Sequence, residues 1–246
     1  MMKGVIFDLG NTLMYWDGKD KDIEAQSNAV LAKFLNANGV PIGEDFIPLF
    51  RAARREGWKQ AEETNLEHTV EEALAAALAQ LGYGSRNGLL THAVEQFFKV
   101  GEEWQRLYPD ALETLQELNR RGLRVGLISN ADDDSLVQRA VVRLGIAPYL
   151  SPAVSSAGLK WRKPNSSIFQ YVANLWNLPP HEIAMVGDAP KYDILGAHGA
   201  GMKGILIDRG EGHWWQQVPE EYANEVAIRP DVTITSLRDL LEWLNH

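Results

Sequence analysis

The stretch "GVIFDLGNTL", residues 4–13, decides the fold. An unbroken apolar run ends in one acidic residue, Asp8, and a glycine follows two positions later. A run with no polar alternation reads as a strand buried on both faces, as in parallel sheets covered by helices. Three further runs share that form: "LRVGLIS" at 123–129, "IAMVGD" at 183–188 and "KGILID" at 203–208. Each closes on a turn signal, and "PAVSS" at 152–156 and "VTIT" at 232–235 add two shorter candidates. Helical stretches lie between them. "PDALETLQELNRRG" at 109–122 and "DDSLVQRAVVRLG" at 133–145 open on acidic residues and stop at glycine. Alternating strands and helices are βαβ units, so the expected class is α/β with a Rossmann-like parallel sheet.

Residues 15–105 differ. They hold amphipathic patterns such as "IEAQSNAVLAKFLNANG" and "TVEEALAAALAQLG" and no strand-like run, which predicts an α-helical insertion after the first strand. The expected division is 1–14 with 106–246 as the core and 15–105 as the insertion. The segment 210–230 has weak periodicity and reads as a long surface connection.

Composition narrows the function classes. With 246 residues and 45% hydrophobic content the chain can bury a sizeable core. A formal charge of −9 argues against a nucleic-acid partner. The densest basic cluster, Arg51, Arg54, Arg55 and Lys59, has helical spacing and reads as a solvated face. The longest apolar tract, "ALAAALAQL" at 73–81, is far below the roughly 20 residues of a membrane span. No cysteine is present, which excludes thiolate chemistry and fits a cytoplasmic setting. The expected state is a monomer or homodimer without a membrane or nucleic-acid partner.

In open parallel sheets, ligands bind beyond the carboxyl ends of the strands. The residues at those ends are Asp8, Gly10, Asn11 and Thr12; Ser129 and Asn130; and Asp188 with Asp193. "KWRKP" at 160–164 supplies Lys163. Two carboxylates about 4 Å apart repel by roughly 4 kcal/mol at an effective dielectric of 20, so three in one cleft call for a cation. All-oxygen donors favour Mg²⁺ over zinc. A phosphate then fits between the metal, Lys163, the Ser129 hydroxyl and the N–H groups of the turn after Asp8.

These residues stand in four ordered motifs: "FDLGNTL", "GLISN", "KWRKPNSSIF" and "VGDAPKYDILGAHGAGM". In this order the chain resembles the haloacid dehalogenase superfamily, over residues 3–13 and 124–207, with the helical insertion matching the cap of one subclass. The resemblance implies a Mg²⁺-dependent phosphatase acting on a small phosphorylated metabolite through an aspartyl phosphate on Asp8. It implies that Mg²⁺ is held by Asp8, the Gly10 carbonyl and Asp188, with Asp193 close by. It also implies that Ser129, Asn130 and Lys163 bind the phosphoryl group, Lys163 tempering the charge at Asp8.

One position departs from the pattern. Phosphatases of this kind usually carry a second aspartate where Gly10 stands, and losing a general acid costs about 10²–10⁴-fold. The substitute proton donors nearest in sequence are Asp17 and Asp20. The alternatives are a phosphate-binding or regulatory protein with little turnover, a dehalogenase, or a phosphonatase. The last needs a cap lysine, for which Lys19, Lys21, Lys33, Lys59 and Lys99 are available, none singled out. Trp58 reads as cap core, Trp161 as rim, and Trp214 and Trp215 as an oligomer contact or cover for a sheet edge. His68, His92, His181, His198, His213 and His246 lack metal-ligand spacing.

Overall fold

A strand between two parallel neighbours can be apolar at every position, and Gly4–Phe7 (β1) is buried along its whole length. The computed structural model describes residues 1–18, 20–84 and 88–245. Lys19 and His246, both weighed above, lie outside the described residues. The strands that follow are Met14–Trp16 (β2), Gln105–Leu107 (β3), Arg124–Ser129 (β4), Ala153–Ser155 (β5), Ile183–Gly187 (β6), Lys203–Ile207 (β7) and Val232–Ile234 (β8). Six of them form one sheet in the order β5-β4-β1-β6-β7-β8. Every pairing in it is parallel.

The register positions the site. Phe7 pairs with Leu127 on one side and Val186 on the other. The chain therefore leaves β1, β4 and β6 at a common rim, and Asp8, Ser129, Asn130 and Asp188 all fall within three residues of that row. From β1 the chain steps outward to β4 and β5, then returns to β6 on the opposite flank, so the rim beside β1 is a topological switch point.

The core helices are Ala111–Arg120 (α5), Asp134–Arg143 (α6), Ser156–Leu159 (α7), Ser166–Trp176 (α8), Leu195–Gly199 (α9) and Leu237–Trp243 (α10), counted after four in the insertion. Strand alternation divides β1 between two apolar layers. Val5 and Phe7 join Leu115 and Leu118 of α5, Val137 of α6 and Leu240 of α10. Ile6 faces the other way, onto Phe169, Val172 and Trp176 of α8. All these side chains are buried, so a truncation in β1 leaves a cavity in the layer its side chain faces.

Between β2 and β3 lie Asp20–Ala37 (α1), Phe46–Thr64 (α2), Val70–Gln80 (α3) and Leu89–Glu102 (α4). They enclose their own apolar cluster around Leu35, Phe46, Phe50, Leu74 and Phe97. A reciprocal cap opens α3: Thr69 Oγ1 accepts from the Glu72 N–H, and Glu72 accepts from the Thr69 N–H. Such a cap stabilises a helix start by about 1 kcal/mol. Among the described residues, no helix is long and apolar enough to cross a membrane.

Two expectations need correction. The stretch 15–105 is not free of strand, because β2 and β3 pair antiparallel, Met14 with Leu107 and Trp16 with Gln105. Three-residue strands are too short to show a period, and their partners are remote in sequence. Nor is the whole basic cluster a solvated face. Arg51 and Lys59 pair with exposed acids of the insertion, but Arg54 reaches Asp132 of the core at 3.1 Å. Glu62 of α2 makes a similar connection. It accepts from Lys191 at 2.8 Å and Tyr192 at 3.0 Å, and lies 3.2 Å from Arg162.

Candidate active site

The chain after β6 explains why a glycine ends that strand. Pro190–Ile194 forms one turn of π-helix, which turns Asp193 back against β6. A Cβ on Gly187 would lie 2.1 Å from the Asp193 carboxyl carbon, so no other residue fits without displacing that carboxylate. Gly187→Ala is expected to lower the unfolding free energy by about 1–3 kcal/mol, a range typical of overpacking. It should also reduce turnover, because Asp193 can no longer brace the lysine described next. Urea unfolding and steady-state rates on the same preparation check both effects.

Lys163 stands at the centre of the acidic cluster. Its side chain is 2% exposed, and Nζ lies 2.6 Å from Asp8 Oδ1 and 2.6 Å from Asp193 Oδ1. Asp193 spends its second oxygen on the Ala189 N–H at 3.0 Å. Burial alone would lower the lysine's pKa, but the two carboxylates outweigh it and hold Lys163 in the charged form. The lysine backbone is also clamped. Asn130 accepts from its N–H at 2.8 Å and donates to its carbonyl at 3.0 Å. The Asn130 side chain is thus engaged with Lys163, and it also lines the cavity with one amide N–H beyond those two bonds.

The carboxylates carry the strain of being close. Burial raises the Asp8 pKa to about 6, Lys163 opposing the shift and Asp193 adding to it. Burial, with the charges of Asp8 and Asp193, raises Asp188 to about 7. Oxygens of Asp8, Asp188 and Asp193 lie within 4.8 Å of one another. Two oxygens on one Mg²⁺ at 2.0–2.1 Å are at most about 4.2 Å apart, so small rotations close the set around a cation. The donors are all hard oxygens, so the residues fit Mg²⁺.

The residues expected at the rim come together. Asp8, Gly10, Ser129, Asn130, Lys163, Asp188 and Asp193 all line one cavity of about 410 Å³. Thr12 is fully buried and lies outside that lining. Gly10 does not have a positive φ, but Asn11 beside it does, at 54°. What a side chain at position 10 would meet is Trp16, whose ring lies 3.4 Å from a Cβ built there.

Several participants were not legible in the sequence. Trp215 donates its indole N–H to Asp188 Oδ2 at 2.9 Å, and Gln216 donates to the same oxygen at 3.2 Å. The Trp-Trp pair within a weakly periodic stretch was the available signal, but nothing pointed it at a carboxylate. Trp58 is 49% exposed and lines the cavity instead of filling a core. Trp161 is partly exposed and lies outside that lining, its backbone bridging to Leu66. Arg162, one residue on, does border the cavity.

A buried lysine braced by carboxylates, at the switch point of a parallel sheet with helices inserted after its first strand, defines the class of α/β protein. The chain belongs to the haloacid dehalogenase-like hydrolases, whose family profile it matches over residues 2–201. It is similar to the glyceraldehyde 3-phosphate phosphatase of Methanothermobacter thermautotrophicus, at 31% identity over 98% of this chain and 100% of the relative. It is also similar to the phosphoserine phosphatase of Thermus thermophilus, at 30% identity over 85% and 90% of the two chains. Among solved structures, the 2-haloacid dehalogenase of Pseudomonas syringae pv. Tomato DC3000 matches with a TM-score of 0.69 and 25% identity, over 100% and 99% of the chains.

Proposed function

We propose that this hydrolase is a Mg²⁺-dependent phosphatase of a small phosphorylated metabolite, with Asp8 as nucleophile. The observation that carries the reading is the position of Asp8 on the floor of the cavity, paired with a charged Lys163 and facing Asp188. We take residues 1–14 with 106–246 as the catalytic core and 15–105 as a cap over it. The phosphatase names of the relatives given above agree with this choice. The dehalogenase likeness is the runner-up, and the three clustered carboxylates weigh against it, since dehalogenation needs no cation.

A carboxylate attacks a phosphate dianion only after both charges are partly neutralised. Lys163 supplies one positive charge beside Asp8, bonded to its Oδ1. Bound Mg²⁺, held by Asp8, Asp188 and the Gly10 carbonyl, would neutralise charge on the phosphoryl group. Asp8 forms a bond to phosphorus as the ester oxygen departs with the bonding pair, leaving an acyl phosphate on Asp8. Water then attacks that phosphorus, the bond to Asp8 breaks, and phosphate leaves. Ser129 borders the same cavity and offers a hydroxyl to a phosphoryl oxygen.

Position 10 offers no acid, so the departing oxygen leaves charged or takes its proton from water. Hydrolysis rates are therefore expected to climb steeply as the leaving group becomes more acidic, with aryl phosphates well ahead of alkyl ones. A series of esters of graded acidity measures this slope. A flat slope with chemistry rate-limiting would mean another group supplies the proton. Gly10→Asp should flatten the slope, since a Cβ at position 10 meets Trp16 only at ordinary contact distance and the backbone there has no positive φ. A generic aryl phosphate assayed with and without Mg²⁺ tests the function itself. No turnover in either condition favours a phosphate-binding protein.

A further inference from the structure

On the phosphatase reading a phosphoryl group would sit beside Asp8 and Lys163, and the rest of the cavity wall has a consistent chemistry. Four indoles reach it from three separate stretches of chain: Trp16 from β2, Trp58 from α2, and Trp214 and Trp215 from the connection after β7. Trp58 and Trp214 meet edge to face, ring centres 6.1 Å apart at 83°. Trp214 meets Trp215 likewise, at 5.7 Å and 85°. Trp16, Trp58 and Trp214 are nonetheless 41%, 49% and 61% exposed. Large apolar rings left this open beside a reactive carboxylate form a surface that a ligand can cover.

Charge accounting points the same way. Among the described residues, the cationic side chains lining this cavity are Lys163 and Arg162. Lys163 is bound by Asp8 and Asp193, and Arg162 by Glu62 and Glu67. Asp132 borders the same space. Among the described lining residues a second anionic group on the substrate would meet no uncommitted cation, and desolvating it without a partner is costly.

Resting on the phosphatase reading, we propose that this site selects phosphate esters whose leaving group is neutral, flat and apolar, an arylmethyl or aryl group, and disfavours esters carrying a carboxylate. The indoles stack on the ring while the phosphoryl group sits against Lys163. Trp58 comes from the helical insertion and Trp214 from the core, so their contact closes the wall over the ring.

The test compares benzyl phosphate, ethyl phosphate and 2-phosphoglycolate at saturating Mg²⁺. All three release alkyl alkoxides, so the missing acid at position 10 affects them alike and KM differences report the wall. Aromatic contacts of this kind predict a KM for benzyl phosphate about tenfold below that for ethyl phosphate. The KM for 2-phosphoglycolate should be the highest. Trp58→Ala and Trp214→Ala should each shrink the benzyl advantage, and Trp58→Phe should retain most of it. Calorimetric binding of benzylphosphonate against ethylphosphonate repeats the comparison without turnover. A preference for 2-phosphoglycolate, equal KM values for the benzyl and ethyl esters, or a benzyl advantage untouched by both alanine variants would overturn the proposal. If none of the three turns over while an aryl phosphate does, the phosphonate comparison alone decides the wall; if the aryl phosphate fails as well, the phosphatase reading falls.

Discussion

Asp8→Asn is expected to abolish phosphate-ester hydrolysis, by about 10⁴-fold or more, while leaving the fold intact. The amide has nearly the carboxylate's shape, and its oxygen can still accept from Lys163, so the contacts around it survive. What it loses is nucleophilicity: a neutral amide cannot form the acyl phosphate. Stability should not fall. Asp8 contributes a buried negative charge beside Asp193 and Asp188, and its raised pKa shows that burial and repulsion outweigh the help from Lys163. Removing that charge relieves the cluster. The measurement pairs steady-state rates on an aryl phosphate with thermal unfolding of the same sample. A variant that keeps a tenth of the activity would remove Asp8 from the nucleophile's role, and one that fails to fold would show that the carboxylate is structural.

The second large effect concerns the cation. Chelation is expected to eliminate turnover, and added Mg²⁺ to restore it. Binding should also register without any substrate, because an ion that binds only the folded state stabilises it by about 2.7 kcal/mol at a hundredfold excess over its dissociation constant. Asp188→Ala should erase that stabilisation. Asp193→Ala should weaken it less, since both Asp193 oxygens are already taken, by Lys163 and by the Ala189 N–H. Its cost appears elsewhere, in a loosened Lys163 and lower stability. Full activity after chelation would point to a reaction that needs no cation. Equal losses of metal affinity in the two variants would show that Asp193 is itself a ligand.

The parallel sheet was legible because burial on both faces leaves a strand no reason to alternate. "GVIF", "RVGLIS" and "IAMVG" carry that requirement in their composition, whatever they pack against. Asp8, Ser129 and Asp188 were legible with them, since a polar residue directly after a buried run must sit at a strand end. The helical insertion was readable from its amphipathic period, but the strand pair at its base was not: β2 and β3 have three residues each, and they become strands only through each other.

What tertiary structure decided are the contacts between residues distant in sequence. Gly187 and Asp193 are six positions apart, yet only the π-turn brings the carboxylate to where a Cβ would stand. Asn130 clamps the Lys163 backbone, Glu62 gathers Lys191, Tyr192 and Arg162, and Trp215 reaches Asp188 across a connection with no period of its own. An indole carries the same apolar surface whether it fills a core or walls a cavity. Its sequence neighbours determine that it seeks cover, and only the packing of the insertion against the sheet determines that Trp58 and Trp214 find it over Asp8, where cover is left for a ligand to complete.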